Sequence, residues 1–529
     1  MSNNFDIWKK HLSGTPDGQA LAAMPPEELA DAFSGDIAFG TGGLRGIMGL
    51  GTNRMNRYTV ERVTHGLARV IMSGGFPKSV CVAFDTRFNS AEFAQIVCNL
   101  LSAYGIVVYT FSKPAPTPLL SFAVRHLGLG WGVVITASHN PQEYNGYKIY
   151  DSYGVQLTDQ MANAVAGVIE SAGFFEPVPE GRAVPVNIFG QDIENAYRER
   201  LLSFVGRGCG RLGFPIVYSA LHGAGAGIVS AVLSELVFSP VCIQQNPDGA
   251  FGGMKTPNPE EPVVYSAAVL EAQKCGAKLL LATDPDCDRV GVMIRTQCGF
   301  EPLSGNQIGA LLIDYLIQAR GATSGGTVIT TIVSGLLGEF VSKASGLEFK
   351  RLLTGFKYIG ECIGRLPEGK SFFFGYEESY GFLAGDGARD KDAVIASALI
   401  AQMAAFYDNK GKTLLDRWLE LSQKHGFCLE VLHSINATPD RQKELMAGLR
   451  DGASFEGLVR IEDYLHGLQG LPPSDVLKLY FAGGAWAAIR PSGTEPKLKI
   501  YAGVCEKTHE LAKARIGALS GELLQKLKT

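Results

Sequence analysis

Four short loops of this chain carry residue types and spacings suited to chemistry. The first, Thr136-Ala137-Ser138-His139-Asn140-Pro141, directly follows the apolar run Trp131 to Ile135, so its serine sits where a buried strand emerges, and Asn-Pro marks the turn. An exposed serine there could be a nucleophile or carry a phosphoryl group, or simply cap a turn. No G-x-S-x-G elbow occurs in the chain, which argues against a hydrolase. The second loop is Asp284-Pro285-Asp286-Cys287-Asp288-Arg289, at the end of the run Leu279 to Ala282. In extended backbone, side chains at i, i+2 and i+4 project to one face, so the three carboxylates are expected to converge. Their repulsion asks for a cation. Mg²⁺, which keeps positions for water and a phosphate oxygen, suits these hard donors. An EF-hand is excluded, because its glycine position is Arg289 and its closing glutamate position is Arg295.

The third loop, Gly375-Tyr376-Glu377-Glu378-Ser379-Tyr380-Gly381, follows the strand-like Ser371 to Phe374. Its carboxylates and hydroxyl, flanked by aromatics, suit sugar hydroxyls, and a surface turn accounts for them equally well. The fourth is Arg490-Pro491-Ser492-Gly493-Thr494-Glu495-Pro496, between two strand-like runs, with Lys497 and Lys499 after it. A guanidinium fork, two hydroxyls and glycine-exposed N–H groups complement a phosphate dianion, although a plain polar turn also fits. One match is rejected. Gly364 to Ser371 fits the P-loop pattern G-x-x-x-x-G-K-S, but a helix-like stretch, Phe356 to Ile363, precedes it and a strand follows, the reverse of the order a P-loop needs.

These loops need elements to hold them. Three segments repeat the order strand, loop, helix, strand: Val80 to Phe111, Phe214 to Ile243, and a third beginning at Thr327 to Val333. They predict three similar α/β domains of βαβ type. After Glu430 the pattern becomes α+β, with strands at Leu429 to Ile435, Trp486 to Ile489 and Leu498 to Val504, a charged helix near Asp440 to Arg450 and a closing helix from His509 to Lys528. The expected limits are 1–205, 206–318, 319–428 and 429–529, the last a separately moving domain. A length of 529 residues with 46% hydrophobic and 19% charged residues fits several cores and excludes both a small binding module and a disordered chain. The net charge of -4 leaves no global field for nucleic acid, so any anionic ligand must be held by local donors. The 64 glycines exceed the usual share of about 7%, as backbone approaching a ligand would require. No apolar run approaches the roughly 20 residues of a membrane span, and the ten cysteines form no C-x-x-C pair. Reduced thiols in a soluble, cytoplasmic protein with no membrane partner are therefore expected.

Taken in order, the four loops resemble those of the α-D-phosphohexomutase (phosphoglucomutase/phosphomannomutase) family, and the likeness runs from Phe39-Gly40-Thr41-Gly42-Gly43-Leu44-Arg45-Gly46 through Asn145-Gly146-Tyr147-Lys148 to the C-terminal domain. The resemblance implies four domains around a central cleft and a sugar phosphate isomerised through a phosphoserine and a bisphosphate that reorients. On that basis Ser138 carries the phosphoryl group, and Asp284, Asp286 and Asp288, with Ser138, hold Mg²⁺. Arg45 and Arg289 contact the same phosphate. Lys148 is the general acid/base, assisted by His139, with Lys391 as its rival. Glu377 and Ser379 bind ring hydroxyls, and Arg490, Ser492, Gly493 and Thr494 grip the phosphate that is not transferred. The Glu-Glu-Ser form of the third loop resembles the glucose-type branch, which implies exchange of glucose 1-phosphate and glucose 6-phosphate with glucose 1,6-bisphosphate as activator. Mannose-type, dual or pentose-type specificity, and a silent sugar-phosphate binder, are the alternatives, and the chain is expected to be a monomer or dimer.

Overall fold

The computed structural model describes residues 3–40, 43–181, 183–206, 212–236, 238–452, 454–492 and 496–528. The chain forms two compact units. The first comprises Met1–Pro302, Gly360–Arg365 and Gly381–Gln402, and the second Leu303–Ile359, Leu366–Tyr380 and Met403–Thr529.

The first unit holds two mixed sheets. One contains β1 (Gly43–Ile47), β2 (Ser79–Phe84), β3 (Val107–Thr110), β4 (Trp131–Ile135), β5 (Tyr144–Tyr150) and β6 (Val186–Ile188), in the order β1-β5-β4-β2-β3-β6. Strands β2, β3, β4 and β6 run parallel, whereas β5 pairs antiparallel with both β4 and β1. The sequence of β4, Trp-Gly-Val-Val-Ile, is buried throughout, as expected of a strand covered on both faces. Helices Arg57–Ser73 and Ser90–Ala103 supply Val60, Val63, Leu67, Val97 and Leu101 to the core on this sheet. Asn56 and Thr59 cap the first of these helices reciprocally. The other sheet contains β7 (Ile216–Ser219), β8 (Val241–Ile243), β9 (Leu279–Thr283), β10 (Val290–Thr296) and β11 (Gly299–Leu303), in the order β11-β10-β9-β7-β8.

In the second unit, β12 (Gly326–Thr331) lies parallel between β13 (Glu348–Leu352) and β14 (Ser371–Tyr376). The short strand β15 (Phe382–Leu383) falls in a segment of the first unit. The remaining sheet is antiparallel, with β16 (Phe427–Asn436), β17 (Leu458–Asp463), β18 (Leu477–Phe481), β19 (Trp486–Pro491) and β20 (Lys497–Glu506) in the order β16-β20-β19-β18-β17. Helices Pro439–Gly452 and His509–Lys528 cover one of its faces through Met446, Leu449, Ile516 and Leu523. Trp486, Ala488 and Tyr501 pack instead with Ile332, Val333 and Leu353. The expected class, three α/β sheets followed by an α+β domain, is what the chain adopts.

One expectation holds and one is adjusted. Gly364 to Ser371 runs from helix Phe356–Gly364 into β14, so the P-loop context is indeed reversed. The cysteines, by contrast, are not all thiols. Cys428 and Cys505 face each other across β16 and β20 and are joined as a disulfide. Their separation of 77 residues hides the pair from any reading of local spacing. Among the described residues, no helix is long and apolar enough to cross a membrane.

Candidate active site

Ser138 lies just past the end of β4, next to the parallel strand β2. Contrary to the expected exposed serine, it is only 2% accessible. Its backbone is left-handed, with φ 53°, a conformation uncommon outside glycine. Its N–H donates to Thr136 Oγ1 at 2.8 Å, and its hydroxyl donates to Asp284 Oδ2 at 2.8 Å. His139 Nδ1 stands 3.3 Å from the same hydroxyl oxygen. Burial, reinforced by Arg289 and Arg45, holds the imidazole well below its ordinary pKa, so it is neutral near pH 7.

The three aspartates do converge, but by a different route from the one expected. The loop between β9 and β10 is a turn, with Cys287 left-handed at φ 53°. Asp284 Oδ1 accepts the N–H groups of Asp288 at 3.1 Å and Arg289 at 3.0 Å. Strand alternation cannot bring all three together, because it separates i and i+4 by about 13 Å along the chain. Here the ligand-type oxygens lie within 4.8 Å of one another, all three residues being buried. Among the described residues, Asp286 Oδ1 and Asp288 Oδ1 have no hydrogen-bond partner. Oxygen donors alone, close together and with orphaned buried atoms, fit a hard divalent cation. Burial, then repulsion from Asp288 and Asp286, pushes the Asp284 carboxyl well above the usual carboxylate range.

Two lysines share this charge. Lys148, on β5, places Nζ 2.8 Å from Asp286 Oδ2 and 3.7 Å from Asp288 Oδ2. Lys391 Nζ stands 3.0 Å from Asp288 Oδ2 and 3.1 Å from Asp390 Oδ1. Burial alone would raise the Asp286 pKa, but Lys148 and Lys391 hold it below the ordinary value. Arg289 pairs with Glu260 at 2.8 Å, and Arg45, on β1, donates to Asn140 Oδ1 at 2.8 Å. Ser138, His139, Lys148, Arg45, Arg289, Lys391 and the three aspartates thus all belong to the first unit.

The other predicted residues lie in the second unit. Glu377, directly after β14, is buried and accepts the N–H of Gly355 at 2.9 Å. Ser379 is partly exposed. Arg490 is the penultimate residue of β19, with its guanidinium 6.0 Å from the Tyr501 ring centre, and Ser492 donates its N–H to Lys497 O at 2.8 Å, closing the turn into β20. Gly493 and Thr494 lie outside the described residues, as do Thr41 and Gly42 of the N-terminal motif.

Models of the phosphoglucomutase/phosphomannomutase family match the chain in succession: alpha/beta/alpha domain I over residues 36–176, domain II over 197–299, domain III over 304–424 and the C-terminal domain over 437–515. The chain is 37% identical over 526 residues to a phosphoglucomutase of Staphylococcus haemolyticus, covering 94% of this chain and 95% of that one. It belongs to the phosphoglucomutase/phosphomannomutase family. A Staphylococcus aureus phosphoglucomutase is 35% identical, with 94% of each chain covered. In three dimensions, parafusin, a phosphoglucomutase from Paramecium, superposes with a TM-score of 0.70 at 16% identity, over 94% of this chain and 95% of that one.

Sequence reasoning missed several residues of this family site. Thr117 donates its hydroxyl to Asp286 Oδ2 at 3.1 Å and its N–H to Asp286 O at 2.9 Å. Asp390 accepts the Tyr150 hydroxyl at 2.8 Å. Asp85 and Arg87 lie beneath the serine loop. Their one local signal was position, since Asp85 and Arg87 open the loop after β2 just as Ser138 opens the loop after the neighbouring β4.

Proposed function

We propose that the chain acts as a phosphoglucomutase, interconverting α-D-glucose 1-phosphate and glucose 6-phosphate through a phosphoserine at Ser138 and a 1,6-bisphosphate intermediate. The observation that carries this reading is the hydrogen bond of the Ser138 hydroxyl to Asp284, one of three clustered buried aspartates whose other two members pair with Lys148 and Lys391, in a chain of this family. Asp284, Asp286 and Asp288, with a Ser138 oxygen, would hold Mg²⁺, and what the ion supplies when bound is neutralisation of charge on phosphoryl oxygens.

The remaining chemistry belongs to side chains. The sugar hydroxyl forms its bond to phosphorus as the Ser138 Oγ–P bond breaks; its proton passes to Lys148 and from there to the freed Ser138 oxygen, restoring the hydroxyl that donates to Asp284 Oδ2, with the imidazole of His139 beside it. Arg45 and Arg289 orient the phosphoryl oxygens. After the bisphosphate reorients, the same groups run the transfer in reverse. Glu377 and Ser379 take the ring hydroxyls, and Arg490, Ser492, Gly493 and Thr494 take the second phosphate. The domain limits 1–205, 206–318, 319–428 and 429–529 belong to the same proposal, since each segment holds one sheet apart from the first two residues of β16. A cytoplasmic, monomeric or dimeric enzyme is the corresponding cellular form.

The test compares kcat/KM for glucose 1-phosphate, mannose 1-phosphate and ribose 1-phosphate, with Mg²⁺ and a trace of the 1,6-bisphosphate. Strong preference for glucose is expected. Comparable hexose rates would make it a dual mutase, dominance of ribose a pentose-type enzyme, and absence of any turnover a silent binder. Ser138→Ala should bind substrate and transfer nothing.

A further inference from the structure

The backbone of Ser138 is held in its left-handed conformation from below by two side chains that touch neither of the active-site lysines. Asp85 follows β2 and takes its own N–H bond to Ile135 O, at the end of β4. Its Oδ1 accepts the Arg87 N–H at 3.0 Å and the Ser90 hydroxyl at 2.7 Å. Its Oδ2 accepts the Thr136 hydroxyl at 2.6 Å, and Thr136 Oγ1 in turn accepts the Ser138 N–H at 2.8 Å. The N–H of Ser138 is therefore tied to Asp85 through one hydroxyl.

Arg87 ties down the other side of the same residue. Its Nη2 donates to the carbonyl oxygens of Ser138 and Asn140. Its Nη1 donates to those of Pro141 at 2.8 Å and Tyr144 at 3.0 Å. Its Nε lies 3.2 Å from Asp85 Oδ2, with both side chains fully buried. The buried ring of Phe251 lies across the guanidinium, 5.0 Å from its carbon. One planar cation thus gathers four carbonyls of the stretch from Ser138 to Tyr144, an arrangement that needs the fixed fork of arginine and that the point charge of lysine does not reproduce. Backbone strain at a reacting residue persists only where its surroundings over-determine it.

We propose that Asp85 and Arg87 are positioning residues for phosphoryl transfer, clamping both backbone groups of Ser138 so that its oxygen meets the incoming phosphoryl group in line. The inference rests on Ser138 being the phosphoryl carrier. Displacements on the scale of an ångström cost about 100-fold in rate when they misplace a reacting atom.

The experiment uses the full-length chain with Mg²⁺ and glucose 1,6-bisphosphate and compares wild type with Arg87→Lys, Thr136→Val and, as a control, Ser138→Ala. Three quantities are read: kcat and KM for glucose 1-phosphate, phosphate on Ser138 by intact mass, and the thermal midpoint. Arg87→Lys is expected to lower kcat about 100-fold and slow the loading of Ser138, with KM almost unchanged. Thr136→Val, close in shape, gives the same split in smaller measure and serves alone if Arg87→Lys does not fold. A kcat near wild type in the variant read, or a kcat, KM and midpoint that decline in step, would overturn the clamp. Turnover by Ser138→Ala would instead overturn the phosphoserine reading beneath it.

Discussion

Lys148 and Lys391 stand on the same aspartate cluster, at 2.8 Å from Asp286 and 3.0 Å from Asp288 respectively. Only one needs to move the proton. Lys391 also pairs with Asp390, which itself holds the Tyr150 hydroxyl, so it is bound into the scaffold, whereas Lys148 makes its ion pairs with the metal loop, at Asp286 and Asp288. Lys148→Met is accordingly expected to lower kcat by about 10² to 10⁴, and Lys391→Met by less, when single-turnover phosphoryl transfer is followed. The reverse order would assign the proton to Lys391. Stripping divalent ions with a chelator should abolish turnover, and added Mg²⁺ should restore it; activity that survives chelation would remove the aspartates from their role. Ser138 and the three aspartates were legible because each motif is contiguous in sequence. Thr117 and Asp286 were not legible as a pair, since they are 169 residues apart and only the fold makes them neighbours.

At the scale of elements, the site is made by loops leaving the ends of buried strands, and those strands were readable as unbroken apolar runs. Strand β17 was not read, because it buries little beyond Glu462 and exposes Val459 and Ile461. It lies at the edge of its sheet, where the pattern that marks a covered strand is missing. The loop after β7 also braces the metal loop: Ala224 donates its N–H to Pro285 O at 2.8 Å, and a Cβ at Gly223 would lie 2.6 Å from Pro285 Cα. Gly223→Ala should therefore push the aspartate turn and weaken Mg²⁺ affinity, measured as the Mg²⁺ concentration for half-maximal activity; an unchanged value would show that the turn absorbs the methyl group. On β18, buried Lys478 donates to Ile332 O at 2.5 Å. Burial, then Arg351, lowers its pKa to about 7. The unfolded chain then binds the extra proton between about pH 7 and the ordinary lysine value, so stability rises with pH across that window and the gain is absent below it. Lys478→Met should flatten this rise, worth at most a few kcal/mol, in thermal unfolding followed from pH 7 to about pH 10. A slope identical to wild type would place the titration elsewhere.

Across the whole molecule, the chain passes between its two units after Pro302, Ile359, Arg365, Tyr380 and Gln402. The segment Gly381–Gln402 returns to the first unit carrying Asp390, Lys391 and Asp392, and there Asp392 accepts the buried Tyr197 hydroxyl at 2.7 Å. A chain ended at Pro302 loses these partners and leaves the hydroxyls of Tyr150 and Tyr197 unsatisfied, at about 1–3 kcal/mol each. Its urea midpoint should fall well below that of the first transition of the full chain, and an equal midpoint would mean that the returning segment adds no stability. This interleaving was not visible in the sequence, where the four domains read as consecutive blocks. It also sets a timetable. Ribosomes make the serine and aspartate loops early and Lys391 some hundred residues after Asp288, so a nascent chain carries its most concentrated negative charge for a time without one of its two counter-ions. The metal loop is therefore made well before the returning segment, and its pairing with Lys391 waits on that segment.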